Sequence, residues 1–319
     1  MTDRVSLGIQ FWNQAFEWEE LAAGASLVDS LGYDHLWSWE HVYACIGDPL
    51  QPTFDGHTLL AAWAPLTSNV SLGLLTGANT FRNPGLLAKI AVTLDHVSGG
   101  RAILGLGGGW FAAEHDAFGF EFGRSAGERL DWLEAAATAL RSLLDGGEVT
   151  SAIDDRYRSQ RLRLSPLPVQ AHLPLLIGGA GERKTLRTVA RHADMWNMAG
   201  VGDTSILRHK VDVLRRHCEA IGRDPEEIRR SVFINPVIRD SESAAWRAAA
   251  EQADRNRVPV DEFRGLEFVV GTPDQVAERI LGCARAGYGT VVAQTAAPLD
   301  TETIGRLVTE VRPMVDAAL

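Results

Sequence analysis

The sequence predicts a single (β/α)₈ barrel, and three observations predict it. Eight short apolar runs alternate with helical patterns along the chain, and alternation on that scale implies a parallel sheet covered by helices. The runs lack the polar alternation of a half-exposed sheet, as strands buried on both faces should. The chain has 319 residues and is 45% hydrophobic, enough for a large core, and α/β barrels of this size form one domain.

Val5–Phe11 reads as the first strand, and Glu17–Leu31 as a helix with Leu21, Ala25 and Val28 inward and Gly32 as its stop. His35–Trp39 is the second strand, residues 43–55 a loop and Gly56–Leu66 a helix. Val70–Thr76 is the third strand. Asn83 and Pro84 then supply the N-cap and first position of a helix that runs to Val97 and is closed by Gly99-Gly100. Ala102–Leu106 is the fourth strand, followed by GGGW at 107–110. Ser125–Leu144 is a long helix with Leu130, Leu133, Ala137, Leu140 and Leu144 on one stripe. The stiff SPLPVQ segment leads into a fifth strand at 174–177, and Ala193–Asn197 is the sixth. Thr204–Ile221 is a helix ended by Gly222, Ser231–Val237 the seventh strand and Glu242–Asp254 a helix. Thr272-Pro273-Asp274 opens a helix to Ala286, Thr290–Thr295 is the eighth strand and Thr301–Ala317 the closing helix. Residues 145–173 and 238–270 read as insertions into one domain spanning 1–319, and Arg158–Leu164 alternates like a hairpin strand.

The stretch LLIGGAGERKTL, 175–186, joins an apolar strand to a helical pattern starting at Glu182. Gly178, Gly179 and Gly181 let the backbone turn without a Cβ in the way. Strand, glycine turn and helix start together aim backbone N–H groups at one point, which suits a phosphate. The same cluster also suits an ordinary strand-to-helix turn.

The net charge of −10 argues against nucleic-acid or membrane-surface binding. Cys45, Cys218 and Cys283 are odd in number and widely spaced, so neither a disulfide framework nor a zinc pattern is expected, and a reducing, cytoplasmic setting is the default. The start MTDRVSLGIQ has no signal-peptide core, and no apolar run approaches the length of a membrane span.

In a parallel barrel the active site lies where the strands end. Those ends carry Trp12-Asn13, Glu40-His41, Thr76 to Asn79, Gly107 to Trp110, Gly178 to Gly181, Trp196 to Met198, Asn235 and Gln294. A mouth rich in aromatic, amide and glycine residues suits a flat conjugated ligand.

Three segments carry a family resemblance. Residues 72–110, LGLLTGANTFRNPGLLAKIAVTLDHVSGGRAILGLGGGW, are similar to the signature of the luciferase-like flavin and deazaflavin oxidoreductases. So are 173–197, LPLLIGGAGERKTLRTVARHADMWN, and 269–294, VVGTPDQVAERILGCARAGYGTVVAQ. Within that superfamily the chain most resembles the branch that uses the 8-hydroxy-5-deazaflavin coenzyme F420. The resemblance implies hydride transfer between the deazaflavin and a small organic substrate, or alternatively an FMN-dependent monooxygenase served by a separate cofactor-reducing enzyme. It implies that the cofactor phosphate sits on Gly178, Gly179, Ala180 and Gly181. It implies too that Thr76, Gly77, Ala78 and Asn79 back the ring, with a non-prolyl cis peptide near Leu75–Thr76. The family commonly forms homodimers.

His41 is the candidate catalytic residue, since imidazole titrates near working pH. The family pattern at this point is Asp-His, and here Glu40 replaces the aspartate. Trp12, Trp39 and Trp110 are the candidate substrate walls, with Trp37 on the same strand face as Trp39. Trp110 stands where the sugar-phosphate dehydrogenases of the deazaflavin branch carry a carboxylic acid, which sets this chain apart from them. Glu114 reads as a solvated glutamate at a helix start, with a displaced acid as the other reading. Arg183 and Lys184 are candidate phosphate partners ranked behind the backbone amides. A metal-dependent barrel hydrolase would want HxH on the first strand, where Gly8-Ile9-Gln10-Phe11 offers none.

Overall fold

A computed structural model of the chain describes residues 4–151, 156–200, 202–264, 266 and 268–319. Residues 152–155 of the expected insertion at 145–173, and 265 and 267 of that at 238–270, lie outside the described set. The strands are β1 (Ser6–Phe11), β2 (His35–Ser38), β3 (Ser71–Leu74), β4 (Gly77–Ala78), β5 (Ala102–Gly107), β6 (Leu175–Gly178), β7 (Met195–Ala199), β8 (Arg229–Ile238), β9 (Phe268–Gly271) and β10 (Thr290–Thr295). All pair in parallel. The order β10-β1-β2-β3-β5-β6-β7-β8 closes through β8 against β10, so eight strands form a complete barrel.

The helices are α1 (Trp18–Ser30), α2 (Gly56–Trp63), α3 (Pro84–Ser98), α4 (Ala112–Phe118), α5 (Ala126–Leu144), α6 (Thr185–His192), α7 (Thr204–Glu219), α8 (Glu242–Arg255), α9 (Val260–Arg264), α10 (Pro273–Arg285), α11 (Thr301–Arg306) and α12 (Arg312–Asp316). The expected caps form. Asn83 accepts a hydrogen bond from the Gly85 N–H at 2.8 Å, with Pro84 at the first position of α3. Thr272 and Gln275 form a capping box on α10.

Each barrel strand buries two faces, which is why the runs read as continuously apolar. The inward face carries a compact cluster of Trp37, Leu75, Ile103, Leu176, Met195 and Val292. The outward face joins the larger core under the helices, through residues such as Ile9, Leu36, Leu72, Leu104, Ile177 and Val232. Trp37 fits inside because its partner on β3 is Gly73 and Gly8 lies close to it on β1. A Cβ on Gly73 would stand 2.6 Å from its ring, and one on Gly8 2.9 Å from its indole nitrogen.

Several expectations change. The third strand stops at Leu74, and the Leu75–Thr76 peptide is cis, as the resemblance implied. The chain then re-forms ladder bonds with β5 as β4. β8 is longer than expected; its second half leaves the barrel and pairs with β9, an added strand that the sequence pattern did not show. Arg158–Leu164 forms no strand, only an isolated antiparallel bridge between Val149 and Leu162. The helix after the glycine turn starts at Thr185 rather than Glu182. The closing helix passes through a π turn at Leu307–Val311 between α11 and α12. Among the described residues, no helix is long and apolar enough to cross a membrane, and no cluster of three metal-ligating side chains occurs.

Candidate active site

Every candidate residue sits at the carboxyl ends of the barrel strands. β2 ends at Ser38, and Trp39, Glu40 and His41 follow as irregular chain. His41 is buried. Its Nδ1 lies 3.1 Å from Oε1 and 3.2 Å from Oε2 of Glu114. The second of those oxygens also accepts the Val42 N–H at 3.0 Å. Glu114 occupies the first turn of α4 and is 1% exposed. The solvated reading of this residue is therefore wrong: its carboxylate is turned inward, onto His41 and the Val42 N–H. Burial opposes charge on the imidazole, but its interactions with Cys45 and with Glu114 outweigh it. His41 is consequently held well above the ordinary imidazole value.

The next residue, His115, fixes α4. Its Nδ1–H donates to the Phe111 carbonyl at 2.7 Å, so its Nε2 accepts from the Thr80 hydroxyl at 2.6 Å. Both ring nitrogens of this histidine are thus committed to the protein.

The three wall tryptophans meet through His41. Trp12 stacks on Trp39 with ring centroids 4.9 Å apart and planes at 20°. Trp39 meets His41 edge-on at 5.4 Å, and His41 meets Trp110 edge-on at 5.6 Å. Trp110 is 63% exposed, at the rim. Trp37 does not join them: it points into the barrel, and the shared-face argument fails because β2 ends before Trp39. Asn13 secures this wall by donating to the His41 carbonyl at 2.8 Å.

Glu40 does not orient His41. Its Oε2 accepts the Ala78 N–H at 2.7 Å, and its Oε1 pairs with Arg82, which also reaches Asp55 at 3.1 Å. Glu40 thus grips β4, in the segment expected to back a ring. Within that segment Thr76 packs against the last residues of β5 and β6. A Cβ on Gly107 would lie 2.5 Å from its Oγ1, and one on Gly178 2.5 Å from its Cγ2. Asn79 is already engaged, since its amide donates to the Tyr157 hydroxyl at 2.9 Å and its carbonyl accepts from the same hydroxyl at 3.1 Å. Tyr157 belongs to the wall of a cavity of about 670 Å³ that lies outside the barrel, between α5 and residues 148–151 and 156–162. Deeper in the mouth, Gln294 donates to Gln10 at 2.7 Å, and Gln10 to the Leu75 carbonyl at 2.6 Å. Asn235 leaves its Oδ1 buried without a partner.

At the glycine turn, the Gly179 N–H completes the sheet by donating to the Asn197 carbonyl at 2.9 Å. Gly179 has φ +122°, a conformation that favours glycine. A Cβ on Gly181 would meet Thr185 Oγ1 at 2.7 Å. Beyond Gly179, the backbone N–H groups of residues 180–184 donate to no protein acceptor among the described residues. No neighbouring side chain among the described residues accepts a hydrogen bond from these main-chain donors. Lys184 is committed elsewhere, to Asp131 at 2.7 Å and the Gly127 carbonyl at 2.9 Å, and Arg183 is exposed.

Comparison with known proteins fits this geometry. The sequence model of the luciferase-like monooxygenases matches residues 6–264. An uncharacterized protein of Mycobacterium tuberculosis is 31% identical over 277 residues, covering 81% of this chain and 88% of that protein. The FMNH₂-dependent dimethylsulfone monooxygenase of Pseudomonas fluorescens is 27% identical over 301 residues, covering 84% and 80%. The F420-dependent hydroxymycolic acid dehydrogenase of M. tuberculosis is 25% identical over 279 residues, covering 82% and 72%. With a closed eight-stranded barrel, a mouth built at its strand ends and a family match over most of its length, the chain belongs to the luciferase-like monooxygenase family of oxidoreductases.

Proposed function

We propose that this protein is an F420-dependent oxidoreductase that transfers a hydride between the deazaflavin and a small, uncharged organic substrate. One observation carries the reading: open backbone amides at 180–184 and the buried His41 lie at the same end of one barrel. The amides fit a phosphate on the cofactor's tail, because unpaired main-chain donors after a glycine turn bind anions without a dedicated side chain. Thr76, Gly77 and Ala78, pinned by Glu40, form the surface against which a ring would lie. A bound deazaflavin supplies or accepts a hydride, and its carbon in place of the reactive flavin nitrogen restricts it to two-electron chemistry.

The protein's part is to orient the reactants, exclude water and move a proton. His41 is placed to protonate the substrate atom that gains negative charge as hydride arrives. Trp12, Trp39 and Trp110 offer an aromatic wall to the substrate beside it. Among the described residues, the ring contacts of His41 are aromatic rings, Cys45 and Glu114, with no lysine or arginine among them. That environment suits a neutral, apolar compound better than a phosphate or carboxylate.

A second reading, reduced-FMN-dependent oxygenation, draws on the similarity to the dimethylsulfone monooxygenase. It would need reduced flavin from a separate enzyme. Anaerobic titration with F420H₂ and with FMNH₂ tests the two. Tight binding of F420H₂, with oxidation that needs an organic acceptor, supports the first reading. Selective binding of FMNH₂, with oxygen uptake, overturns it in favour of the second.

A further inference from the structure

Glu114 has contacts more specific than a helix start requires. Both carboxylate oxygens face one imidazole nitrogen, at 3.1 and 3.2 Å, and one of them also takes the Val42 N–H at 3.0 Å. A carboxylate buried to this extent keeps its charge only when donors and a counter-charge compensate for lost water. His41 is the only ionisable side chain that hydrogen-bonds to it among the described residues.

We propose that Glu114 is the positioning residue for His41. It holds the imidazole with Nδ1–H directed at α4 and keeps the ring cationic, so that Nε2–H is the proton given to substrate. The geometry stands on its own; the chemistry rests on the hydride-transfer reading above. The electron pair of the hydride forms a C–H bond at the electrophilic carbon and leaves a pair on the adjoining atom. The Nε2–H bond of His41 breaks as that atom takes the proton, and water returns a proton to Nε2. Glu114 exchanges no proton with substrate. The other titratable neighbour of His41 is Cys45, on its own loop. The remaining groups against the ring are Trp39, Trp110 and Phe111. Glu40 is turned away toward Ala78 and Arg82.

The test is an NMR titration of the His41 imidazole in cofactor-free protein, on wild type, Glu114→Gln and Glu114→Asp, with circular dichroism to verify folding. The wild-type ring should remain protonated above neutral pH. Its midpoint should fall by about 1–3 pH units in Glu114→Gln and by less in Glu114→Asp. With F420H₂ and an accepted substrate, Glu114→Gln should keep cofactor affinity, lose at least about tenfold in kcat, and lose activity at lower pH than wild type. A His41 midpoint unchanged in folded Glu114→Gln overturns the assignment. Should wild type neither bind nor oxidise F420H₂, the cofactor reading falls, and the imidazole titration still decides the role of Glu114.

Discussion

His41 concentrates the chemistry of the site in one side chain. His41→Gln removes the acid while keeping a polar group of similar reach, so kcat should fall by roughly 10²–10⁴ with F420 affinity nearly unchanged. Steady-state rates beside a fluorescence titration check this, and full turnover would remove His41 from the mechanism. The same residue sets a pH dependence. Its value in the folded protein lies above the unfolded one, so its contribution to stability is complete below about pH 6.5 and is lost as pH rises toward the folded value. Urea denaturation of wild type against His41→Gln should show their difference shrinking steadily above that pH; a difference that grows would contradict the assignment. His41 was legible as a candidate in the sequence because it stands just past a strand, where the family pattern places Asp-His. Glu114 was not. Its partner is 73 positions away, and a glutamate in the first turn of a helix is ordinarily a solvated favourable charge. Glu40 was legible as a position but not as a role, because its longer side chain bypasses His41 and reaches the Ala78 N–H.

The elements around the site are set by local signals that the sequence carries plainly. The Asn83-Pro84 start and the left-handed Gly99 end define α3, which follows the segment expected to back the ring. Asn83→Ala should cost about 1 kcal/mol by loss of the cap, read in urea denaturation, with F420 affinity unchanged. A large loss of affinity at unchanged stability would give Asn83 a role in the site that its cap does not explain. Signals weaken where tertiary contacts decide. The helix after the glycine turn starts three residues late because residues 182–184 form a turn, anchored through the Glu182 carbonyl by His217 and through Lys184 by Asp131. β9 escaped notice because its four residues are only partly buried until Gly271, and only the emerging half of β8 gives them a partner.

At the scale of the whole molecule, the barrel was legible because periodicity and strand count survive any uncertainty about boundaries. The sequence could not show which strand ends converge. Closure brings the residues just after β1 and β2 and the β5–α4 connection into one aromatic wall and sets the end of β6 against Thr76. The central claim is that this convergence grips a phosphorylated ring cofactor by main-chain amides after β6. It is tested most directly by F420 binding to wild type, Gly179→Asn and Gly179→Asp. The two substitutions share bulk and the cost of a side chain at positive φ, so the difference between them isolates the charge beside the phosphate. The Asp variant should bind at least about tenfold more weakly than the Asn variant, and both more weakly than wild type. A folded Gly179→Asp protein that binds F420 as tightly as wild type would contradict the account.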